Sequence, residues 1–558
     1  MTKFLTLFTV LFIATQSFAQ NNPVLKGILV DTTAKQSLKD ASISLLNKED
    51  STVESFSIAK ADGSFEVKGF SFGDYIVQIS FNGYETVFKK VTFSKSNSSI
   101  DLGKVYLKFG GDDLAGVTVK ASPVQIKGDT TEFNAGSFKT KPNATAEDLL
   151  KKLPGVQVDK DGTVKAQGQN VTRVLVDGKR FFGDDPKTAT RNLPTDVIDK
   201  VQVYDAQSDQ SAFSGFDDGN REKTINIITK KDRRKGYFGK ISAGAGENKT
   251  YATSASFNRF NGNQQISFIG QGNNINQQNF SVQDLLGTMS SGSGGRGGGM
   301  FGGGGNIGNF LTGTQSGIAK TWAAGLNYND VWGKKTSVSS SYFYNNLNVN
   351  NDNSNFRETF VTNDSSQFNN SNTISSNKNG NHRFNFEIDH KIDSSNTLLI
   401  RPTFSLQNSD RYTETTSSLT KGKLTNLSGV QQITSNQSDG YNFSTSILFR
   451  HKFKKRGRTI SLNLTPGMSE SDANGTNISY NDIYTNAGLV KDTINQINST
   501  NREGRSLGSN LSYTEPVGKK GQIELTYNYN YSKNNSDQQT YRFNKNTGAF
   551  DDVVLNLT

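Results

Sequence analysis

The chain has 558 residues, of which 33% are hydrophobic, contains no cysteine, and carries a formal net charge of +11 at pH 7. This length exceeds what one hydrophobic core organises, so we expect two or three domains. The lack of cysteine excludes disulfides, a lipoprotein anchor and thiolate metal sites. The basic residues are scattered or lie in tight turns, as at residues 454–458, which argues against nucleic-acid binding.

The first residues have the pattern of a secretory signal peptide. An apolar run covers residues 4–14, and Ser17 and Ala19 place small residues at positions −3 and −1 of a cleavage point. The sequence therefore predicts a signal peptide over residues 1–19, cleaved between Ala19 and Gln20. The alternative is a buried N-terminal helix, which the short run and the polar residues after it disfavour.

Residues 24–107 contain short alternating runs, such as 41–46 and 75–79, separated by turn dipeptides at 62–63 and 83–84. This pattern resembles the carboxypeptidase-regulatory-like β-sandwich that precedes many Bacteroidetes outer-membrane receptors. The segment has no trio of metal ligands, so the resemblance implies a fold and no catalysis. We therefore expect a protein that is not an enzyme.

Residues 122–232 are predicted to form a small α/β segment. Helices are expected at 144–153 and 195–201, and short strands between and after them. Four blocks, taken together in order and spacing, resemble the plug domain of TonB-dependent receptors. The blocks cover residues 129–133, 146–156, 176–186 and 192–194, and the motif residues are Leu153, Pro154, Gly155, Val156, Asp177, Gly178, Phe181, Phe182, Asp184 and Asp185.

Residues 108–121 form a linker that ends in one short β-branched run. In TonB-dependent receptors a TonB box lies at this place and pairs with a strand of TonB by β-augmentation. The candidate residues here are Leu114, Val117, Thr118 and Val119. An equally weighted alternative is that this run is the first strand of the plug.

From residue 236 onward, apolar and polar residues alternate with a period of two, as in residues 384–389 and 398–406. This alternation predicts an antiparallel transmembrane β-barrel whose strands each cross the bilayer with about 9–11 residues. Short turns alternate with long polar stretches at 348–381, 408–440 and 469–506, and with a glycine-rich stretch at 272–318, which we interpret as extracellular loops. Apolar and polar residues also alternate along the strands of a soluble β-sandwich. Its connections, however, would not divide regularly into short turns and long loops.

The barrel is expected to be incomplete. We count about eleven strands, whereas plugged transporters use about twenty-two. The last residues, 553–558, do not end in the aromatic residue common to such barrels. The sequence therefore predicts a truncated barrel with an unpaired edge.

No catalytic, cofactor or metal site is predicted. The chain has three histidines, His382, His390 and His451, of which His390 and His451 are expected to be interface residues. The acidic pairs at 184–185 and 217–218 are expected to be solvated turn carboxylates. The glycine-rich stretch lacks the Gly-Lys-Ser/Thr ending of a phosphate-binding loop. Tyr and Asn in the lumen-facing rows would suit a polar solute.

The resemblance implies active import of a scarce nutrient, of the siderophore, glycan or peptide class, through the cell outer membrane. The N-terminal domain and plug would lie on the periplasmic side, with outer-membrane lipid and the TonB–ExbB–ExbD complex as partners. A SusD-like lipoprotein is a further candidate partner on which the sequence is silent. The alternative from another class is a barrel that displays its outer segments for structural or surface-interaction purposes without active transport.

Overall fold

The computed structural model describes residues 22–32, 37–49, 51–81, 83–109, 122–159, 162–183, 186–276, 317–362, 365–422, 425–518 and 521–554. These residues are mainly in strands, which confirms the mainly β class predicted from the sequence. The chain divides into two compact units. The first comprises Met1–Ala144, Asp148–Val156 and Ile198–Tyr204, and the second comprises Thr145–Glu147, Gln157–Val197 and Asp205–Thr558.

The chain before residue 235 forms short elements. The strands are β1 (Val24–Asp31), β2 (Ser42–Asn47), β3 (Val53–Ile58), β4 (Ser64–Val67), β5 (Gly73–Ser80), β6 (Val87–Phe93), β7 (Ser99–Leu107), β8 (Val124–Lys127), β9 (Thr130–Asn134), β10 (Val156–Val158), β11 (Val164–Ala166), β12 (Gln169–Asn170), β13 (Arg173–Val176), β14 (Lys179–Arg180), β15 (Ile198–Gln207) and β16 (Arg221–Thr229). The helices are α1 (Ala146–Leu150), α2 (Pro186–Asn192) and α3 (Asp209–Ser214), with 3-10 turns at Ala135–Ser137, Thr195–Val197 and Lys231–Arg233.

Two of the helical predictions need correction. The helix predicted at 144–153 is reduced to α1, and the helix predicted at 195–201 is wrong, because a single 3-10 turn leads directly into β15. Val201 and Val203 are both buried and alternate with the less buried Gln202. Two β-branched residues on one face of a strand favour sheet pairing over a helix.

In the first unit, β1 to β7 form two sheets with one shared core. One sheet has the order β4-β1-β7, with β1 and β7 parallel, and the other has the antiparallel order β3-β2-β5-β6. Leu25 and Leu107 from the first sheet and Ile43, Leu45 and Ile79 from the second are fully buried in one cluster. Burial of these alternating side chains between the sheets stabilises the sandwich.

The first unit also contains a polar cluster where β9 pairs with β8 and β15. Glu132 is 7% exposed and accepts hydrogen bonds from Lys200 Nζ at 2.8 Å, Gln202 Nε2 at 3.0 Å and Lys127 Nζ at 3.1 Å. Burial by itself would raise the pKa of Glu132, but these donors outweigh it and lower the pKa to about 2. The buried carboxylate is therefore fully compensated.

In the second unit, one antiparallel sheet of twelve strands, in sequence order, follows the short elements. The described residues thus give twelve strands rather than the eleven counted from the sequence, and in them β17 pairs only with β18 and β28 only with β27. The strands are β17 (Lys235–Ala245), β18 (Tyr251–Asn261), β19 (Gln264–Asn273), β20 (Ile318–Trp332), β21 (Thr336–Thr362), β22 (Ser365–Lys391), β23 (Asn396–Lys421), β24 (Thr425–Lys452), β25 (Thr459–Thr485), β26 (Gly488–Val517), β27 (Gly521–Asn544) and β28 (Ala549–Val553).

The long loops predicted at 348–381, 408–440 and 469–506 are wrong. These residues continue the strands, so that β21 to β27 are each 24 to 30 residues long. The three stretches contain no proline, and their Asn, Ser and Thr residues extend the ladders almost without interruption. Strand formation requires backbone pairing rather than apolar side chains, so the polarity of these residues does not by itself indicate loops. Most of the fourth predicted loop, 272–318, lies outside the described residues.

Within the described residues, no helix combines the length and the hydropathy that crossing a membrane requires. Directly opposed residues in antiparallel strands lie on the same face, so strand register assigns each residue of the twelve-stranded sheet to one of two faces.

We expect Glu132→Gln to remove a pH-dependent part of the stability of the first unit. Because the folded-state pKa of about 2 lies below the usual value of 4.5, this stabilisation is complete above about pH 4.5 and is lost as the pH falls towards 2. Hydrogen exchange of peptides from β9 and β15, measured as a function of pH, tests this prediction. In the wild type, protection against exchange should fall as the pH drops from about 4.5 to about 2. In the variant, protection should be lower and should not change over this pH range. The control Glu85→Gln, at an exposed site, should show the same pH dependence of protection as the wild type. If all three proteins show the same pH dependence, Glu132 is not the source of the pH-dependent stability.

Candidate functional site: contacts between the α/β segment and the sheet

The second unit holds two components that meet side chain to side chain. We call residues 162–183, 186–197 and 205–234 the α/β segment. It contacts one face of the twelve-stranded sheet through Asn327, Asn329, Glu387, Arg401 and Ser461. We call this the inner face. By strand register it comprises the odd-numbered residues of β19 to β23 and β25 and the even-numbered residues of β17, β18, β24, β26 and β27.

The motif residues Asp177 and Gly178 build the turn between β13 and β14. Both have positive φ, +51° and +76°, as the favoured two-residue hairpin turns require. The Asp177 carboxylate accepts hydrogen bonds from the backbone N and Oγ1 of Thr229 at 2.9 and 2.6 Å. The Gly178 amide donates to Asn226 Oδ1 at 2.9 Å. This turn anchors the hairpin on β16.

Phe181 and Phe182 follow this hairpin and approach the inner face. Their rings lie edge to face, 4.9 Å apart, and Phe181 is 1% exposed. The Phe182 amide donates to Asn327 Oδ1 at 3.0 Å, and its ring lies where a side chain on Gly325 would start, 3.0 Å from an ideal Cβ. The lack of a side chain at Gly325 is what admits this ring.

An alternating network of charges joins the α/β segment to the sheet. Glu387 Oε2 accepts from Arg180 Nε at 2.9 Å and from Arg401 Nε at 2.6 Å. Arg401 also forms a two-pronged ion pair with Asp209 through Nη1 and Nη2. Arg180 and Asp209 belong to the α/β segment and the other two residues to the inner face. The four charges sum to zero, which is the condition for keeping them away from bulk water.

Helix α3 positions Asp209. Ser208 Oγ accepts from the Ser211 amide at 3.0 Å and so caps the start of the helix, which ends at Gly215 with φ of +75°. Burial would raise the pKa of Asp209, but the hydrogen bond and charge of Arg401 hold it below its usual value. The carboxylate is therefore ionised when it meets Arg401.

The rest of α3 also contacts the inner face. Ser461 Oγ donates to Gln210 Oε1 at 2.5 Å, and Gln522 Nε2 donates to the Ser214 carbonyl at 3.1 Å. The Phe213 ring has two cations above it, Arg450 at 5.4 Å and Lys452 at 5.0 Å from its centroid. The contact thus spreads across strands β23 to β27.

A cavity of about 190 Å³ lies beside the charge network. It is lined by Arg180 and Gly183 from the α/β segment and by Asn385, Glu387 and Arg401 from the sheet, among others. An ideal Cβ on Gly183 would lie 3.2 Å from Asn385 Nδ2, so the backbone approaches the strand closely at this glycine. The contact is therefore close but incompletely filled.

The structure divides the predicted motif residues between the two units. Leu153, Pro154, Gly155 and Val156 lie in the first unit, where Leu153 and Val156 are buried and Gly155 has a φ of +73°. The residues that lie outside the described part of the chain are the TonB-box candidates Leu114, Val117, Thr118 and Val119, the acidic pair Asp184 and Asp185, and the cleavage residues Ala19 and Gln20.

Sequence reasoning missed Asp209, Glu387 and Arg401. One signal was present for two of them. Glu387 and Arg401 are opposite charges at facing inner positions of β22 and β23, which indicates an ion pair across the two strands. Sequence reasoning also placed tyrosines on the inner rows, but Tyr342, Tyr344 and Tyr441 all belong to the outer face. Asparagines lie on both faces, with Asn327, Asn329 and Asn385 among the inner ones.

The remaining polar candidates have structural partners. His382, His390 and His451 lie on the outer face, and Nδ1 of each is within 2.9 Å of Tyr342, Thr336 and Asn396, respectively. Asp217 forms an exposed ion pair with Arg221, and Asp218 accepts from Ser208. In the described part of the chain, no group of three or more His, Asp or Glu side chains is arranged to hold a metal ion.

No protein-family model and no curated protein matches the chain. Among solved structures, it is similar to the group B streptococcus pilus 2b backbone protein (19% identity, TM-score 0.13, 16% of this chain and 42% of that chain). It is also similar to the copper transporter OprC (10%, TM-score 0.21, 76% and 85%) and to the siderophore receptor PiuA from Acinetobacter baumannii (12%, TM-score 0.23, 75% and 64%).

The last two proteins are a transporter and a receptor rather than enzymes. The chain spans less than two thirds of the pilus protein and of the siderophore receptor. TM-scores of this size do not establish a common fold.

We expect Arg401→Gln to weaken the contact between α3 and the sheet by about 1–3 kcal/mol, because it leaves Asp209 without its cation and Glu387 with only Arg180. Hydrogen exchange of the α3 amides measures this opening. Arg411→Gln, which removes an inner-face arginine further along β23, is the matched control and should leave α3 exchange unchanged. Equal exchange in wild type and Arg401→Gln would show that the network does not fasten the segment.

Proposed function

We propose that the chain is an outer-membrane β-barrel transporter of the TonB-dependent type, with the α/β segment as its plug, importing a scarce nutrient. The observation that carries the proposal is the charge network of Arg180, Glu387, Arg401 and Asp209. It fastens the α/β segment to one face of a long antiparallel sheet through polar contacts. Such contacts can open and reform without exposing a hydrophobic core.

The outer face of the sheet supports a location in a membrane. Next to the short turn that precedes β23, its outer residues are apolar over five successive positions, 398 to 406, and then polar from Asn408. The neighbouring strands follow the same order, with Phe443 and Ile447 on β24 and Leu462 and Leu464 on β25. An apolar band of about nine residues per tilted strand matches the hydrocarbon core of a bilayer.

The composition of the contact suits a gate. The α/β segment is joined to the inner face by hydrogen bonds to Asn327, Asn329, Ser461 and Gln522 and by ion pairs to Glu387 and Arg401, beside the Phe182 and Phe213 rings. Ion pairs held in partly buried positions contribute little net stability compared with apolar packing, yet they fix orientation. A segment held in this way can be displaced by a mechanical pull while the sheet stays intact.

The proposed source of that pull is the run at residues 114–119, which would pair with a strand of TonB by backbone hydrogen bonds. This part of the proposal rests on the sequence resemblance, since these residues lie outside the described part of the chain. The partners would be the TonB–ExbB–ExbD complex and outer-membrane lipid, with the linker on the periplasmic side.

A reducible crosslink across the contact tests the gate, because the chain has no cysteine of its own. Gln210→Cys with Ser461→Cys, joined by a short bis-methanethiosulfonate, should stop growth on a medium where the gene is required, and reductant should restore it. The control pair Ser461→Cys with Ser512→Cys joins two directly opposed inner-face residues of the sheet and leaves the α/β segment unattached. Unimpaired growth with the first crosslink would contradict a moving plug.

Deletion of residues 112–120 tests the coupling to TonB. We expect the deletion to abolish gene-dependent growth while leaving the amount of protein in the outer membrane unchanged, as measured by membrane fractionation and immunoblotting. A passive surface-display barrel predicts no loss. Growth that survives the deletion would therefore favour the alternative function and reject energised transport.

A further inference from the structure

We propose that the basic turn between β24 and β25 binds the anionic headgroups of diacyl phospholipids at the membrane surface. The inference rests on the proposed function for the position of the sheet in a membrane, and it adds the headgroup chemistry and the place on the protein. It comes from the charge, exposure and surroundings of this turn.

The turn covers residues 452–458 and has the sequence Lys-Phe-Lys-Lys-Arg-Gly-Arg, of which residues 452–456 are exposed. It contacts the end of β26. Lys455 Nζ donates to the Pro516 carbonyl at 3.3 Å, and an ideal Cβ on Gly457 would lie 3.5 Å from the Pro516 ring. We call residues 453–458 and 515–517 the basic corner.

The basic corner has more cations than its own carboxylate can balance. Glu515 accepts from Lys455 Nζ at 2.6 Å and from Arg458 Nε and Nη2 at 2.6 and 2.9 Å. Lys454 and Arg456 have no ion pair and no side-chain hydrogen bond with any residue of the described chain. Four cations thus face one carboxylate, which leaves a net charge of +3.

The other carboxylates near the ends of these strands are engaged elsewhere. Asp393 accepts from Asn396 Nδ2 at 2.7 Å and from two backbone amides of its own turn. Asp389 lies 3.5 Å from Arg450, and Glu524 belongs to the inner face. Glu515 is therefore the one described carboxylate that forms an ion pair with the basic corner.

The basic corner adjoins the apolar band of the outer face. Phe449 on β24 and Leu462 on β25 face each other in that band, close to the turn. Phe453 is 39% and Val517 49% exposed, and the Phe453 ring lies edge-on to the His451 ring at 4.6 Å. Exposed aromatic and basic side chains at the edge of an apolar surface match the depth of lipid headgroups.

The opposite ends of the same strands carry a different charge. The turn between β25 and β26, residues 486–487, is Asn-Ala and has no charge. Beyond the apolar band, the outer residues of β24 to β26 include the carboxylates Asp439, Glu470, Asp472 and Glu503. The apolar band therefore separates the basic corner from an acidic region, so an anionic layer fits only the short-turn end of these strands.

The chemistry of the free cations favours an anionic phospholipid over a zwitterionic one. Lysine and arginine bind phosphate oxygens through charge-assisted hydrogen bonds. In phosphatidylcholine the headgroup's own cation offsets the phosphate, whereas phosphatidylglycerol keeps a full negative charge. Each lysine or arginine at an anionic membrane surface favours binding by about fivefold.

Electron spin resonance of lipids in reconstituted vesicles tests the proposal. The full chain is placed in phosphatidylcholine vesicles that contain a small fraction of spin-labelled phosphatidylglycerol or spin-labelled phosphatidylcholine. The fraction of label that the protein immobilises gives the relative association constant of each lipid. We expect the wild type to prefer phosphatidylglycerol by about fivefold at low ionic strength, and the preference to fall in about 1 M salt.

A pair of double variants locates the preference. Lys454→Gln with Arg456→Gln removes the two cations that have no partner, leaves Glu515 bound, and should lower the preference to about twofold or less. The matched control, Lys491→Gln with Lys545→Gln, removes two exposed lysines near the opposite ends of the strands and should keep the wild-type preference. Both variants must match the wild type in strand content by far-ultraviolet circular dichroism.

Three outcomes would overturn the proposal. An equal fall in both variants would assign the preference to overall charge. A wild type that immobilises the two lipids equally would show no headgroup selection. Binding of fluorescent poly-L-glutamate by the basic corner, without any lipid preference, would assign this surface to an acidic polypeptide instead.

These outcomes are distinguishable from failure of the proposed function. A protein that immobilises neither lipid would not span the vesicle membrane, which rejects the barrel and this inference with it. Immobilisation of both lipids without preference rejects only the headgroup assignment. The crosslink and the deletion of residues 112–120 test transport independently of either result.

Discussion

The constraint on which the second unit depends is the two-residue repeat of an extended chain. In an antiparallel sheet, one residue faces each way in turn, and directly opposed residues share a face. Once the register of β20 against β21 is set, the parity of every residue number through β27 decides its surroundings. A slip by one residue would exchange the faces, placing Glu387 and Arg401 on the apolar side and Phe386 and Ile400 against the α/β segment.

This constraint explains how the sheet can carry three different chemistries. The outer residues next to the short turns are largely apolar, the outer residues further along are mostly polar and include carboxylates, and many inner residues are amides and hydroxyls. Strands β21 to β27 are long enough for such variation, since 24 to 30 residues supply two rows of twelve or more side chains. Backbone pairing along strands β18 to β26 allows polar side chains to be accommodated without loss of the ladder.

The contact between the α/β segment and the inner face uses a different principle. Arg180 and Asp209 come from separate local structures, a β-hairpin and the capped helix α3, and each is positioned by its own backbone. Glu387 and Arg401 are fixed by strand register. The four charges meet because two rigid elements present them, and the ions are compensated only in that arrangement. Orientation, rather than net stabilisation, is what such a network provides.

The sequence by itself determined the β character and the alternation along the long sheet, because these depend on local pattern. It did not determine where the strands end, since polar residues 348–381 pair as well as apolar ones. Nor did it reveal the partnership of Asp209 with Arg401, 192 residues apart. Only the tertiary structure decides that contact, because it places the start of α3, with Asp209, next to Arg401 on β23.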